Sequence, residues 1–275
     1  MKFTLYIALL IIFFNKASAQ FYYFDIFATN QTNQVYTQLK GLGIKKITGT
    51  SFEGREPSKD FVLEQTIAAD GSSITTRSAT IGSAESFFTG FYSNNKVVNT
   101  IDSGNNAINS IAYEYDNAGR VTAINLISKD FDGEFAITEL HQWSYNTKGL
   151  PEKMLKIKNT IDTTVVTFLL DDIDNIIEER WTKKGSRVET YFYYYNELKQ
   201  LTDIVKYNRK AKAMLPDFMF EYDENGNLSQ MTQPQSGSAN YLTWRYAYNP
   251  NGLKAREVAF NKQKELVGRI EYSYQ

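Results

Sequence analysis

One aromatic pattern returns along most of this chain, and its spacing constrains the fold more than any other feature. Four segments align on a tyrosine: Tyr113-Glu114-Tyr115-Asp116-Asn117-Ala118-Gly119, Trp143-Ser144-Tyr145-Asn146-Thr147-Lys148-Gly149, Phe220-Glu221-Tyr222-Asp223-Glu224-Asn225-Gly226 and Tyr246-Ala247-Tyr248-Asn249-Pro250-Asn251-Gly252. The shared order is aromatic, any residue, aromatic, Asp or Asn, two loop residues, Gly, and soon an aliphatic. Weaker copies sit in the gaps, and the full set of anchors is Ile67, Tyr92, Tyr115, Tyr145, Leu170, Tyr195, Tyr222, Tyr248 and Tyr274. Their spacings are 25, 23, 30, 25, 25, 27, 26 and 26 residues, a period that belongs to a repeated supersecondary unit.

The chemistry of one unit predicts a hairpin. Aromatics two residues apart share one face of a strand. The following Asp or Asn can accept from backbone N–H groups just ahead and so begins a turn. Glycine four residues after the anchor, at Gly71, Gly119, Gly149, Gly226 and Gly252, supplies the left-handed conformation a short loop needs. Polar clusters at Asp130-Phe131-Asp132-Gly133, Lys183-Lys184-Gly185-Ser186 and Pro234-Gln235-Ser236-Gly237 provide the far turns. The expected fold is all-β: a long antiparallel meander of roughly 16 strands in tandem hairpins, curled or spiral. One short helix precedes it over residues 30–43, capped by Thr32, carrying Val35, Tyr36 and Leu39 and ended by Gly41 or Gly43. Residues 44–48 read as the first strand, and the helix is expected to cover an edge or end of the sheet.

Residues 1–19 have the form of a secretory signal peptide. Lys2 is followed by an uncharged stretch over residues 5–14 and by Ala17-Ser18-Ala19. Ten such residues are too few to cross a bilayer, which takes about 20. Cleavage would leave Gln20 first. The expected organisation is therefore a signal peptide over residues 1–19, helix and first strand over 20–59, and a hairpin-repeat domain over 60–275. The absence of cysteine excludes disulfides, thiolate metal sites and lipid attachment at cysteine. Thirty basic residues against 31 acidic ones give no surplus charge to grip phosphates, so nucleic acid is not an expected partner.

The Tyr-Asp-x-x-Gly segments at Tyr115 to Gly119 and Tyr222 to Gly226 resemble the YD repeat of Rhs-type proteins. The resemblance covers about residues 60–275. It implies hairpins that wind into a sheet or shell, as in family members that enclose a C-terminal toxin or act in adhesion at the cell surface. This chain ends inside a repeat, one residue after the anchor Tyr274, so a stand-alone scaffold without a toxin domain is expected. The fold transfers, with a suggestion of carbohydrate or surface contact.

Nothing in the motifs assembles a catalytic site. His141 is the single histidine; no Gly-x-Ser-x-Gly elbow accompanies it and it has no second His or Cys for zinc, so it reads as a plain strand residue. Asp171, Asp172, Asp174, Glu178 and Glu179 could suggest a calcium loop, but they occupy the turn slot of a repeat and lack the spacing of an EF-hand, so a solvated loop is expected. Gly41-Leu42-Gly43 lacks the third glycine of a dinucleotide fingerprint. In Tyr191-Phe192-Tyr193-Tyr194-Tyr195, the anchor face takes the odd positions, leaving Phe192 and Tyr194 to face outward as candidate ligand contacts. The leading expectation is a non-enzymatic exported scaffold in the periplasm, on the cell surface or outside the cell. It would bind a glycan or protein, use no cofactor or metal, and insert in no membrane. The alternatives are an outer-membrane β-barrel, suggested by the signal peptide, the tyrosines and the hairpin number, and a hydrolase using scattered carboxylates.

Overall fold

The computed structural model describes residues 21–275 except 55, 81, 104–106, 134 and 235–239. The signal peptide, the start at Gln20 and the turn at residues 235–237 lie outside the described residues. Helix α1 (Tyr23–Gly41) leads into β1 (Lys46–Glu53), the two-residue β2 (Glu56–Pro57), β3 (Val62–Ile67), β4 (Ser73–Ala79), β5 (Ser86–Ser93) and β6 (Lys96–Ser103). Then come β7 (Ala107–Tyr115), β8 (Val121–Asp130), β9 (Ala136–Tyr145), β10 (Pro151–Lys158), β11 (Asp162–Leu170), β12 (Ile176–Lys183) and β13 (Ser186–Tyr195). The chain finishes with β14 (Leu201–Asn208), β15 (Ala213–Tyr222), β16 (Leu228–Pro234), β17 (Tyr241–Tyr248), β18 (Lys254–Asn261) and β19 (Leu266–Tyr274).

Each strand from β3 to β19 pairs antiparallel with the next, and β1 pairs with both β3 and β19. At the seam Ile47 faces Gln65 on one side and Tyr274 on the other. The Gln275 carbonyl accepts from Lys46 N–H, and Gln275 N–H donates to the Lys46 carbonyl at 2.9 Å. The result is a closed barrel of 18 strands, with β2 as a short arm on β1.

This corrects the expected curled or spiral open sheet. Strand twist accumulates along a long meander, and an open sheet of this size would leave two rows of unpaired N–H and C=O groups. Pairing β1 with β19 removes both rows. The reading as a YD-type repeat scaffold is corrected with it. The hairpins do not stack as a solenoid that could gain or lose copies; they form one ring of fixed strand number. The helix is also longer than expected: it starts at Tyr23, directly after Phe21 and Tyr22, which are buried against the barrel wall.

The turn chemistry recurs around the ring. Asp116, Asn146, Asp171, Asn196 and Asp223 each accept, through Oδ1, from the backbone N–H four residues on, at 2.8–3.0 Å. The slot four residues after the anchor has positive φ at Gly119 (82°) and Gly226 (82°), and Asp174 (69°) and Lys199 (60°) take the same conformation without being glycine. A register shift falls just before the anchor at Tyr92, Tyr115, Leu170, Tyr195, Tyr222 and Tyr248. The anchor hydroxyls then tie neighbouring hairpins together. Tyr115 donates to the Val97 carbonyl, Tyr145 to Val121, Tyr195 to Ile176, Tyr222 to Leu201, Tyr248 to Leu228 and Tyr274 to Lys254, all at 2.6–2.9 Å.

A β-branched residue in the left-handed slot is strained by ~1–2 kcal/mol, whereas Asn adopts it readily. Gly226→Val is therefore expected to lower the melting temperature clearly more than Gly226→Asn. Tyr222→Phe, which removes only the hydroxyl clasp, should cost about 1 kcal/mol. Thermal melts of the three variants check both points, and equal melting temperatures for the two Gly226 variants would contradict the assignment.

Candidate functional site

Helix α1 lies in the lumen of the barrel. Its contacts run round the whole ring: Phe21 and Tyr22, just ahead of it, reach β9, β12, β13 and β15, Asn33 reaches β6, Tyr36 reaches β5, and Gln38 reaches the turn after β17. Buried clusters lie at both ends. Tyr22 packs with Ile124, Trp143, Met154 and Val166, Phe21 with Tyr191, Tyr193 and Ile204, and Tyr36 and Leu39 with Ile47, Ile67, Ile74 and Leu253. Stacking of Tyr36 on Tyr92, with centroids 3.9 Å apart and planes 4° from parallel, pins the second half of the helix. The Tyr36 hydroxyl donates to the Gly71 carbonyl at 2.6 Å.

The start of the helix is held by one carboxylate. Glu179 on β12 is fully buried. It accepts from Tyr22 N–H (2.7 Å), Tyr23 N–H (2.9 Å), the Tyr193 hydroxyl (2.6 Å) and the Trp181 indole N–H. The first N–H groups of a helix have no partner within it, and the helix dipole favours an anion there. Glu179 supplies both needs from the wall. The expectation of a solvated acidic loop holds at Asp171, which makes the turn, and fails at Glu179. Strand alternation explains the difference: Glu179 pairs with inward-facing Tyr191, so it points into the lumen, while Glu178 points out and binds Arg180 at 2.6 Å.

His141 is not a plain strand residue. It is 2% exposed, with Asp25 Oδ2 at 2.6 Å from Nδ1 and Glu139 Oε1 at 2.9 Å from Nε2. Lys156 Nζ lies 3.1 Å from the other Glu139 oxygen. With carboxylates at both nitrogens, the ring donates to both only as imidazolium. His141 thus joins α1, through Asp25, to β9 and β10. No sequence motif announces this cluster, because its members are brought together by closure of the ring around the helix. The inward carboxylates are committed to partners elsewhere too, Asp217 to Lys206 and Glu257 to Lys254, each at 2.8 Å.

A cavity of about 210 Å³ remains between the second half of α1 and the wall formed by β1, β3 to β7 and β17 to β19. It is lined by Val35, Tyr36, Leu39, Ile74, Tyr92, Thr100, Leu253, Lys254 and Tyr272, among others. Phe192 and Tyr194, the ligand contacts expected from the sequence, lie on the other side of the wall. Their strand neighbours Tyr191 and Tyr193 are buried inside, whereas Tyr194 is 53% exposed outside. The structure does not bring them to the cavity.

The outer wall is mixed. Phe87, Phe91, Ile108, Leu169, Tyr194 and Tyr207 are exposed on it. So are ion pairs: Glu64 lies 3.0 Å from Lys46 and 3.6 Å from Arg77. The expectation that no part of the chain inserts in a membrane is corrected by the closure itself. Ring closure pairs both sides of β1 and of β3 to β19, and a closed antiparallel barrel is the form in which β-structure crosses a bilayer. No helix among the described residues is long and apolar enough to cross one.

No protein-family model and no curated protein matches this chain. Among solved structures, a porin-like protein from Bacteroides uniformis aligns with 84% of this chain and 98% of its own, at 10% identity and a TM-score of 0.39. A porin-like protein from Bacteroides vulgatus covers the same shares at 14% identity and a TM-score of 0.31. The Photorhabdus luminescens Tc holotoxin pore aligns with 76% of this chain at 12% identity and a TM-score of 0.36, and the match spans 12% of that chain. Similarity at this level leaves function to the geometry of the lumen.

Replacing the Glu179 carboxylate leaves four buried donors short of an acceptor. Glu179→Ala is expected to cost about 3 kcal/mol or more. Backbone amides of residues 23–41 should then exchange faster than those of the wall strands. Hydrogen exchange read by mass spectrometry checks this, and unchanged protection of the helix would contradict its anchoring by Glu179.

Proposed function

We propose that this chain is a non-enzymatic β-barrel of the outer-membrane type whose lumen is stopped by its own helix, so that it binds rather than conducts. The observation that carries the proposal is the closed ring. It has an even number of antiparallel strands, and its first and last strands are paired, as in outer-membrane barrels. Rings of 16–18 strands enclose an aqueous channel when their interiors are polar and empty. Here a helix roughly 10 Å across with its side chains, together with inward Tyr, Trp and Met side chains, fills that space.

The polarity of the wall favours a second reading. The tyrosines and aliphatics concentrate inside, and ion pairs such as Glu64 with Lys46 and Glu178 with Arg180 lie outside. On that reading the chain is a binding barrel of the cell envelope, meeting a glycan or protein through outward residues such as Phe192 and Tyr194.

Fractionation of cells producing the full-length chain separates the two. The outer-membrane reading expects retention in outer membranes after a urea wash, release by detergent, and a heat-dependent shift in gel mobility. Recovery in the urea wash or the soluble fraction would contradict it and leave the second reading.

A further inference from the structure

We infer that the rim formed by the turns after β10, β12 and β14 docks on an anionic lipid surface, its cations meeting the headgroup phosphates. The inference holds whether the wall crosses the bilayer or only meets it, because the rim is the same in both.

Every strand from β3 to β19 runs antiparallel to the next, so alternate turns fall on opposite rims. The sequence separates charge between them. On one rim Lys158 ends β10, and Lys183, Lys184 and Arg187 flank the turn after β12. Arg209, Lys210 and Lys212 make the turn after β14, and Asp162 is the one carboxylate within these three turns. At the other rim, the turn after β11 carries Asp171, Asp172 and Asp174. Glu197 and Lys199 follow β13, and Asp223 and Glu224 follow β15. A chain of nearly balanced charge is thus polarised along these strands.

Neighbouring strands are about 4.8 Å apart, so successive turns on one rim lie roughly 10 Å apart and the three span roughly 20 Å. Lys183 Nζ reaches Asp162 Oδ2 at 2.7 Å, and Lys158 and Lys184 are near enough to act on the same carboxylate. Among the described residues, none of the other cations on these turns lies within ion-pair distance of a carboxylate. The fold does not need them for the turns. Asn208 accepts from Ala211 N–H at 2.9 Å, and Gly185 takes the left-handed conformation. Their mutual repulsion is left for a partner of opposite charge to relieve.

Apolar side chains stand beside the cations and decide which anion fits. Ile161, in the first turn, is 87% exposed. Tyr207 and Met214 face one another across β14 and β15, and both are exposed. Lys206 points inward, with its Nζ 5.4 Å from the centre of the buried Tyr191 ring, so alternation puts Tyr207 on the outer wall. Aromatic rings at headgroup level, with Lys and Arg beside them, match the layered chemistry of an anionic lipid interface. A soluble polyanion matches the cations alone and leaves Ile161, Tyr207 and Met214 in water.

The test uses the folded full-length chain in neutral maltoside micelles doped with equal amounts of phosphatidylglycerol and phosphatidylcholine. Lipids retained after capture and washing are counted by mass spectrometry. Phosphatidylglycerol should exceed phosphatidylcholine about fivefold or more at low salt, and the two should approach parity in about 0.5 M sodium chloride, which screens such contacts. The combined variant Lys184→Gln, Arg209→Gln, Lys210→Gln, Lys212→Gln should bring the ratio near parity in a protein of unchanged melting temperature. Lys45→Gln, Lys96→Gln, Lys148→Gln and Lys199→Gln together remove as much charge from the opposite rim and should leave the preference intact. Equal retention of the two lipids at low salt, a preference that survives in the first variant, or equal loss in both variants would each overturn the inference. So would binding to immobilised heparin, lost in the first variant, without any lipid preference; the rim would then serve a soluble polyanion. Because the lipids are offered in detergent, the result does not depend on where cell fractionation finds the barrel.

Discussion

Every strand in this molecule depends on the pairing of β1 with β19. A meander of this length has two edges, and each edge exposes backbone groups that bind any passing strand. The seam from Ile47 opposite Tyr274 to Phe52 opposite Arg269 joins them. Closure then decides which residues become interior. Alternation sends one side of every strand to the lumen, and the tyrosines of the aromatic-x-aromatic pattern are on that side. The hydroxyls of the anchors Tyr195, Tyr222, Tyr248 and Tyr274 donate to carbonyls of the preceding hairpin, about 20 residues back in each case.

A ring of this width would be hollow without its helix, and the wall residues are those of a core. Tyr191, Met154 and Ile204 are completely buried because α1 and the aromatics ahead of it fill the space in front of them. The helix in turn is held by polar contacts that only an enclosed lumen makes strong. Glu179 takes the N–H groups at its start, His141 takes Asp25, and the Asn33 side chain accepts from Val97 N–H at 2.8 Å. Low dielectric strengthens each of these bonds, and it makes each costly to break. The plug and the wall are thus one folding unit, and the cavity of about 210 Å³ lies where the second half of the helix stands back from β4, β7 and β18.

The hairpins were legible from the sequence because their chemistry is local. Tyr222, Asp223 and Gly226 lie within five residues and determine a turn without reference to the rest of the chain. Closure was not legible, since β1 carries no anchor aromatic and its partner strand is more than 200 residues away. The same reason hid the lumen. Glu179 looked like one acid among several in a turn, and His141 looked isolated, because Asp25 and Tyr22 reach them only from a helix far away in sequence. Phe192 and Tyr194 were placed on the outward face by strand alternation. The pair Lys254 and Glu257 gave no signal, being an ordinary charge pair until burial removed the solvent around it.

Both the plugged lumen and the paired edges require a closed ring. The chain has no cysteine, so a disulfide can be placed at the seam without competition. Thr48 and Ser273 face one another across β1 and β19. In the double variant Thr48→Cys, Ser273→Cys, mild oxidation of dilute folded protein should produce an intramolecular disulfide in nearly every molecule, seen as a loss of two hydrogen atoms by mass and of both free thiols. Free thiols that persist, or only intermolecular disulfides, would mean that the two ends of the sheet do not meet, and the barrel and its plugged lumen would be contradicted together.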